Sequence, residues 1–296
     1  VSTANAFVLR GGIPVFVDVN PNTLNIDETL IEQAITSKTR AIVAVHYAGV
    51  ACDMDVIMQI ANDYNLIVIE DAAQGVMSSY KGRALGSIGH LGCYSFHETK
   101  NIISGEGGAL LINVSSLVER AEIIREKGTN RSSFLKGQVD KYTWVGVGSS
   151  YLPGEIISAF LWAQMQDAES ITARRMKIWS YYHESFEELE CIGRIRRPVI
   201  PDGRVHNAHM YYLLLNDVED RSSFIDFMQH KGVSCVFHYV PLHSSPQGLV
   251  CGRTDSELRI TSISAECLVR LPLWVELGEK QQTVIDNALE YFTNCE

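Results

Sequence analysis

Two short groups of polar residues follow apolar runs of the sequence and carry side chains that can do chemistry. Asp71 and Gln74 come directly after the β-branched run 66–69. Ser95 and Lys100 end a later apolar run and precede a glycine-rich turn. A lysine beside a hydroxyl and closely approaching backbone can form a covalent imine with an aldehyde cofactor. A single lysine is more commonly a solvated loop residue, so this assignment depends on its neighbours.

Each of these side chains meets one requirement of a pyridinium cofactor. A carboxylate such as Asp71 keeps the ring nitrogen protonated, so that the ring can accept electrons from a carbanion. The Gln74 amide can donate to the ring hydroxylate, and the Ser95 hydroxyl can hold a phosphate oxygen together with backbone N–H groups. Lys100 can form the imine and then move a proton between substrate and cofactor carbons. Asp71 alone would be explained equally well by a helix cap, and Ser95 by a strand end, but their joint occurrence favours the cofactor site.

Alternating strands and helices must position these groups. The runs 41–45 and 66–69 are continuous and β-branched, which is typical of strands covered on both faces. Asn25-x-x-Glu28 predicts a capping box at the start of one helix, and Asp53 predicts the cap of the next. This order indicates an α/β domain with a mostly parallel sheet, in which ligands bind beyond the carboxyl ends of the strands.

The second half of the chain predicts a smaller domain. A helix starts after Pro153-Gly154, and its inner face is predicted to consist of Ile156, Ala159, Phe160 and Ala163. After the next helix, the patterns predict a strand at 210–215, a helix at 221–231 and a strand at 233–239. We therefore expect a large α/β domain at residues 1–170 and a smaller α+β domain at residues 171–296.

The composition indicates a globular protein and argues against several kinds of partner. The 296 residues are 46% apolar and 20% charged, with a net charge of −10 that argues against a nucleic-acid-binding surface. No apolar run reaches the length of a membrane span. The seven cysteines, none in C-x-x-C spacing, predict a reducing compartment and a cytoplasmic protein without a zinc site. His238 and His243 have no accompanying carboxylate, so we predict no metal site there either.

Several segments together resemble the DegT/StrS-type nucleotide-sugar aminotransferases. These segments are E-D-A-A-Q at 70–74, G-C-Y-S-F-H-E-T-K-N at 92–101, G-E-G-G-A at 105–109, N-A-H-M at 207–210 and F-H-Y-V-P-L-H at 237–243. The resemblance covers essentially the whole chain. It implies a pyridoxal-phosphate-dependent transferase of fold type I that works as a homodimer.

The resemblance also implies roles for individual residues. Lys100 matches the imine lysine, and Asp71 matches the partner of the pyridine nitrogen. Gln74 matches the partner of the ring hydroxyl, Ala73 the small residue packed on one ring face, and Ser95 a phosphate ligand. We expect Lys100 to be the catalytic residue and the other four to bind the cofactor.

The resemblance is less direct for a second set of residues. Tyr151 stands where many members carry an asparagine that reaches the partner subunit's phosphate, so this contact is either made by the tyrosine hydroxyl or not made. His97 and Glu98 either touch the hexose or close the turn beside the lysine. Further candidates for sugar-nucleotide binding, with plain core or loop positions as the alternative, are His238, Tyr239 and His243.

The implied reaction takes an amino group from L-glutamate and passes it to the 4-keto carbon of a dTDP-4-keto-6-deoxyhexose. The product is a dTDP-4-amino-4,6-dideoxyhexose, with the galactose epimer favoured, for enterobacterial common antigen or lipopolysaccharide synthesis. One alternative is a non-catalytic sugar-nucleotide-binding or regulatory protein on the same scaffold. Another is a pyridoxal-phosphate-dependent sugar dehydratase, although such relatives carry histidine at the position of Lys100. Because family members have a phosphate-binding Gly-Thr loop upstream, we expect an amino-terminal segment to be missing before Val1.

Overall fold

The computed structural model describes residues 1–294. The strands are β1 (Val15–Phe16), β2 (Ala41–Val45), β3 (Ile67–Asp71), β4 (Ser79–Tyr80), β5 (Arg83–Ala84), β6 (Leu91–Ser95), β7 (Gly108–Ile112), β8 (Arg204–Val205), β9 (Tyr211–Leu214), β10 (Val236–Phe237), β11 (Arg253–Thr254) and β12 (Leu268–Leu271). The helices are α1 (Ser2–Val8), α2 (Ile31–Ala34), α3 (Met54–Asp63), α4 (Val118–Arg125), α5 (Arg131–Leu135), α6 (Glu155–Gln166), α7 (Ala168–Ser185), α8 (Glu187–Cys191), α9 (Val218–His230), α10 (Pro246–Cys251), α11 (Arg259–Cys267) and α12 (Lys280–Asn294).

The main sheet has the strand order β2-β3-β6-β7. The first three strands are parallel, and β7 runs antiparallel to β6. Asp71 pairs with Val45 on one side and with Cys93 on the other, so the carboxyl ends of β2, β3 and β6 lie at one edge. This mixed and mostly parallel sheet confirms the predicted α/β class and brings the residues that follow β3 and β6 together.

The helices beside this sheet form by partly different contacts from those predicted. Asp53 accepts from the Val56 N–H and caps α3 as predicted. The capping box at Asn25 does not form, and Asp27 caps the short 3-10 turn before α2 instead. Asn25 is buried, and its side chain donates to the Val50 carbonyl at 3.0 Å. A long-range contact therefore outcompetes the local cap, because a buried amide must be satisfied.

The buried carboxylate of Glu70 ties the loops at the two ends of the sheet to β3. Its Oε1 accepts the backbone N–H groups of Ile88 and Gly89, both at 2.6 Å. Its Oε2 accepts the Gly86 N–H at 2.8 Å and lies 3.0 Å from Nε2 of His46. Glu70 and His46 are both fully buried. Glu70 therefore holds the turn that enters β6 and the residue that follows β2.

Hydrogen bonding keeps Glu70 ionised. His46 accepts the Cys52 N–H at its Nδ1, so its ring proton is on Nε2 and is donated to the carboxylate. Burial opposes ionisation, but the hydrogen bonds from His46 and from the turn hold the pKa of Glu70 below its ordinary value. Of the two acids at the end of β3, Glu70 is thus structural, and Asp71 is the one available for chemistry at the edge of the sheet.

The carboxy-terminal part forms an α+β unit around an antiparallel sheet of order β10-β12-β9. Helices α7, α9 and α12 surround it, and the shared core includes the fully buried side chains of Tyr182, Phe186, Phe224 and Met228. Strand β12 was not predicted. Helix α7 runs continuously across the expected boundary at residue 170, and the division into two domains stays a prediction.

The predicted inner face of α6 is wrong. Ile156 is 85% exposed and Phe160 50% exposed, and no residue of the fully described helix α6 is buried. The side that packs on this chain includes Leu161, which contacts the cluster around Phe96 and Ile102. The helix is apolar on both sides, so its periodicity could not show which side faces the chain.

Several other findings concern the described residues only. Within residues 1–294, no helix is long and apolar enough to span a bilayer. In the same range, no three His, Cys, Asp or Glu side chains form a group that could hold a metal. Six cysteines are free thiols, and Cys295 lies outside the described residues.

The contacts of Glu70 predict the effect of removing its charge. Each carboxylate oxygen of Glu70 meets two donors, and Glu70→Gln replaces one of these oxygens by an N–H₂ group that faces two donors. We expect the free energy of unfolding to fall by about 3 kcal/mol, measured by urea denaturation. Glu32→Gln on the exposed face of α2 is the control. An equal effect of both substitutions would contradict the structural role of Glu70.

The same carboxylate should also make stability depend on pH. Its folded pKa lies below the ordinary value of 4.5, so its contribution is complete above that pH and is lost as pH falls through the folded pKa. The unfolding free energy of the wild type should therefore decrease more steeply than that of Glu70→Gln as the solution is acidified below this range. Parallel curves for the two proteins would count against this explanation.

Candidate active site

Lys100 lies on a closed loop between β6 and β7. The loop is fastened at its base, where Phe96 N–H donates to the Gly107 carbonyl at 2.8 Å. A second backbone bond joins Glu98 N–H to the Gly105 carbonyl, also at 2.8 Å. Gly105 and Gly107 both have positive φ, which allows the chain to turn back tightly. Lys100 is therefore held at a defined place beyond the edge of the sheet.

The surroundings of Lys100 favour a reactive amine. Its side chain is partly buried, and this burial lowers its pKa from the ordinary value. The charge of Asp71 acts in the opposite direction and raises the pKa of Lys100. Asp71 ends β3 and the loop of Lys100 follows the neighbouring strand β6, so both residues lie at the same edge of the sheet. An amine of lowered pKa is deprotonated more easily and is a better nucleophile near neutral pH.

The Asp71 carboxylate is held by two donors. Thr3 Oγ1 in α1 donates to Oδ2 at 2.6 Å, and the Ala73 N–H donates to Oδ1 at 3.1 Å. The residues after Asp71 form turns rather than a helix through residue 78, so the helix-cap explanation is wrong. Both donors hold the carboxylate in one orientation.

Gln74 is oriented by a backbone group from the neighbouring loop. Its Oε1 accepts the Ala48 N–H at 2.7 Å, which assigns the amide oxygen and leaves Nε2 to donate. Ala48 lies in the turn after β2 and has a positive φ of 56°. The free N–H₂ group of Gln74 is the donor that the sequence predicts for a ring oxygen.

Ser95 is the last residue of β6, two residues beyond Cys93, which pairs with Asp71 across the parallel pair β3-β6. Its Oγ accepts the His97 N–H at a long 3.4 Å, which leaves the hydroxyl hydrogen to donate elsewhere. The His97 ring lies 2.9 Å from Thr99 Oγ1, and Glu98 is exposed. His97 thus bonds within the turn, and a contact of His97 or Glu98 with the hexose stays a prediction.

The other sequence candidates contact parts of the chain outside the lysine loop. His238 Nδ1 is 3.4 Å from the hydroxyl of Tyr47, which precedes the Ala48 that holds Gln74. Burial, aided by the charge of Arg270, lowers the pKa of His238 to about 4, so the imidazole is neutral. The guanidinium of Arg270 also lies 5.3 Å from the centre of the Tyr239 ring. His238, Tyr239 and Arg270 thus lie close together, beside the loop that contains Ala48.

His243 and Tyr151 have other surroundings. Nε2 of His243 is 3.4 Å from Ser262 Oγ, near α11. Tyr151 is 58% exposed, and its backbone N–H donates to the Arg125 carbonyl at 3.2 Å. The structure thus gathers Lys100, Asp71 and their immediate neighbours, and leaves Tyr151 on the surface.

Sequence reasoning missed residues that support the site from far along the chain. Thr3 contacts Asp71 across 68 positions, and nothing in its local pattern indicated this contact. Asn101 and Asn207 join their loops across 106 positions. The segment N-A-H-M at 207–210 is part of the resemblance, but its sequence does not indicate which contacts Asn207 makes.

These groups fit a pyridoxal phosphate cofactor. One edge of the sheet carries an amine of lowered pKa, an oriented carboxylate, an amide with a free N–H₂ and a hydroxyl. These are the chemical types that an aldehyde, a ring nitrogen, a ring oxygen and a phosphate require. Comparison with known proteins supports the same assignment, because a model of the DegT/DnrJ/EryC1/StrS aminotransferase family matches residues 1–290.

The chain belongs to the DegT/DnrJ/EryC1/StrS aminotransferase family. It is 38% identical over 251 residues to the uncharacterized protein MJ1066 of Methanocaldococcus jannaschii, covering 83% of this chain and 64% of that protein. It is 32% identical over 250 residues to the GDP-perosamine synthase of Caulobacter vibrioides, with the same two coverages of 83% and 64%. The matched region thus spans slightly less than two thirds of each relative.

A solved structure extends the family assignment to the fold. The crystal structure of S. venezuelae DesV in complex with a ketimine intermediate has a TM-score of 0.87 at 26% identity. The match covers 98% of this chain and 76% of DesV. Together with the mixed, mostly parallel sheet, this likeness supports fold type I.

The opposed effects on the Lys100 amine predict the result of a charge-removing substitution. Asp71→Asn removes the negative charge that raises the pKa of Lys100, so this pKa should fall further. In the cofactor-free chain, competitive acylation followed by peptide mass spectrometry should give half-maximal labelling of Lys100 at lower pH. Asp55→Asn, which removes the partner of the distant Lys81, is the control. An unchanged midpoint in Asp71→Asn would show that the two side chains do not interact.

Proposed function

We propose that this protein is a pyridoxal-phosphate-dependent aminotransferase that acts on a nucleotide sugar, with L-glutamate as the amino donor. The observation that carries the proposal is the pairing of a partly buried Lys100 with Asp71 at one sheet edge. Both residues belong to segments that resemble this family, and the family assignment covers almost the whole chain. The relatives are longer than this chain, so assigning their activity to this chain is part of the proposal.

Each residue of the candidate site has a proposed role toward the cofactor. When bound, pyridoxal phosphate supplies an electron sink for negative charge at the substrate carbon. Lys100 Nζ would hold the cofactor covalently and, once displaced, carry a proton to and from that carbon. Asp71 would keep the ring nitrogen protonated, and Gln74 Nε2 would donate to the ring oxygen. The Ser95 hydroxyl would bind the phosphate, and the small side chain of Ala73 would leave space against the ring.

For the acceptor we propose a dTDP-4-keto-6-deoxyhexose, aminated at its 4-keto carbon to a dTDP-4-amino-4,6-dideoxyhexose. The galactose epimer and enterobacterial common antigen synthesis are favoured by the sequence resemblance. A relative named GDP-perosamine synthase supports a nucleotide sugar but carries a different base in its name. Residues proposed to contact the sugar nucleotide are His97, Glu98, His238, Tyr239 and His243.

A trapping experiment tests the proposal directly. The protein is loaded with pyridoxal phosphate and reduced with borohydride, and the modified peptide should contain Lys100 and not the exposed Lys177. L-Glutamate alone should yield about one equivalent of 2-oxoglutarate per site, since the amino group stays on the cofactor without an acceptor. Adding the dTDP-ketosugar should make production continuous, and Lys100→Ala should abolish it.

Other outcomes would favour the alternatives. Trapping at another lysine, or no 2-oxoglutarate from a loaded protein, would overturn the proposal. Binding of the dTDP-sugar that is unchanged by the cofactor and by Lys100→Ala would favour a non-catalytic binding or regulatory protein. Loss of water from the sugar without incorporation of nitrogen would favour a dehydratase. Parallel assays with dTDP- and GDP-ketosugars determine the nucleotide base.

We also propose that the protein is a homodimer formed through α6. Two residues on one side of this helix, Ile156 and Phe160, are largely exposed, and Trp162 is 69% exposed. Trp144, on the segment before α6, is 75% exposed. Apolar surface of this extent is typical of a protein interface. In such a dimer the exposed Tyr151 hydroxyl is the group proposed to reach the partner's cofactor phosphate.

The exposed face of α6 gives a prediction about assembly. A double substitution, Ile156→Glu with Phe160→Glu, places two charges on the proposed interface and should weaken dimerisation about a hundredfold. Analytical ultracentrifugation over a concentration series measures the change. Gln166→Glu at the end of the same helix is the control and should leave the dimer intact. A dimer of unchanged affinity in the double variant would place the interface elsewhere.

A further inference from the structure

Asn207 is a buried asparagine that reaches from the segment before β9 into the site edge. It is only 1% exposed. Its Nδ2 donates to the carbonyl of Gln74 at 2.8 Å and to that of Val76 at 2.7 Å. Both N–H bonds of this amide are thus used on the loop that carries Gln74. Because the donors are buried and both satisfied, this contact fixes the loop after β3.

The backbone of Asn207 is also joined to the lysine loop. Asn101, the residue after Lys100, is 9% exposed and donates from Nδ2 to the Asn207 carbonyl at 2.8 Å. The Oδ1 atom of Asn101 lies 3.1 Å from Nδ1 of His209. An amide oxygen only accepts, so His209 carries its proton on Nδ1. Asn101 therefore contacts the 207–209 segment with both ends of its amide.

The 207–209 segment is itself held in place. Arg175 in α7 donates to the Ala208 carbonyl at 3.1 Å and to the His209 carbonyl at 2.8 Å. With Asn101 on the Asn207 carbonyl, three consecutive carbonyl groups accept from side chains. Ala208 has a φ of +50°, which is unfavourable for alanine and needs such surrounding contacts. These bonds hold the 207–209 segment in one conformation, so it can support the loops that contact it.

A third loop packs against the same asparagine. Gly49 has a φ of +80°, and a Cβ at this position would lie 2.2 Å from Asn207 Oδ1. The same Cβ would lie 2.9 Å from the Gln74 carbonyl. Gly49 follows Ala48, whose N–H orients the Gln74 amide. The loops after β2, β3 and β6 thus all meet at Asn207.

We infer that Asn101 and Asn207 form an amide clasp that sets the position of Lys100 relative to Gln74. Both are positioning residues, because they act on the site through the loops they hold. The inference rests on the proposed function, since it assigns to Lys100 and Gln74 the two sides of one cofactor. It makes the geometry of the site depend on the segment 207–209, which lies in the carboxy-terminal half of the chain.

Charged groups around the clasp connect it to the reactivity of Lys100. Asp71 and the partly buried His209 are the titratable neighbours of Lys100, and Arg175 and Arg270 are the further cations near His209. Burial together with these cations lowers the pKa of His209 to about 3, so its imidazole is neutral at physiological pH. Without the clasp, water reaches the lysine loop and the effect of burial on Lys100 is lost. The pKa of Lys100 then rises.

The test uses two matched asparagines. Asn207→Asp replaces the Nδ2 group and its two donated N–H bonds by one carboxylate oxygen that faces both carbonyl groups. Asn113→Asp makes the same change at the opposite end of β6, where Asn113 Nδ2 donates to the Gly86 and Gly89 carbonyls at 3.0 and 2.8 Å. In the cofactor-free chain, the pH of half-maximal acylation of Lys100 should rise by about one unit in Asn207→Asp, equivalent to about tenfold less free amine. It should be unchanged in Asn113→Asp.

Turnover gives a second measurement on the loaded protein. Because the reacting groups are displaced but the sugar-binding residues are kept, kcat should fall about tenfold to hundredfold in Asn207→Asp with KM changed less than twofold. Asn113→Asp should keep both constants within about twofold. Equal midpoints and equal kcat in the two variants would overturn the clasp.

A second variant keeps the inference testable if Asn207→Asp does not fold. Asn101→Ala leaves the bonds from Asn207 to Gln74 and Val76 in place and removes only the link to the lysine loop. It should show the same rise in the Lys100 midpoint, and wild-type behaviour would contradict the clasp. The labelling needs no cofactor, so a wild type that fails to trap pyridoxal phosphate at Lys100 would overturn the proposed function while the labelling result still decides the clasp.

Discussion

The buried carboxylate of Glu70 is the interaction on which the rest of the site depends. An ionised carboxylate without exposure to water is costly unless every donor it needs is present. Three backbone N–H groups of the turn before β6 and the Nε2–H of His46 meet that need. Because the turn and His46 belong to different strands, satisfying one charge fixes β2 and β6 relative to β3. The positions of the residues that follow these strands are a consequence.

Neighbouring acids on β3 consequently have opposite tasks. Successive side chains of a strand point to opposite faces, so Glu70 and Asp71 meet different surroundings although they are adjacent. Glu70 is enclosed by donors and serves the fold. Asp71 ends the strand, where the Thr3 hydroxyl and the Ala73 N–H hold it, and its charge raises the pKa of Lys100. The same chemical group, a carboxylate, is structural on one face and available for chemistry on the other.

Local signals predicted much of the fold, and long-range contacts account for what was missed. The strand β2 and the Asp53 cap of α3 depend on neighbours in sequence, and both form at the predicted residues. The side chains of β2 alternate between buried and partly exposed, however, so the expected cover on both faces is wrong for this strand. The expected cap at Asn25 failed because that amide is used by Val50, far along the chain. Parallel strands identified the edge where Asp71 and Lys100 meet, since their carboxyl ends must coincide. The supporting bonds from Thr3 and Asn207 have no local pattern, so only the folded chain shows them.

The edge of a parallel sheet explains why such distant amides are required. Beyond the last ladder bond, the loops after β2, β3 and β6 have carbonyl and N–H groups that no strand can satisfy. Water would satisfy them, but it would also solvate Lys100 and restore its ordinary pKa, because burial is what lowers it. The side chains of Asn101 and Asn207 satisfy these groups without admitting water. The reactivity of the lysine and the saturation of backbone hydrogen bonds are therefore two consequences of the same contacts.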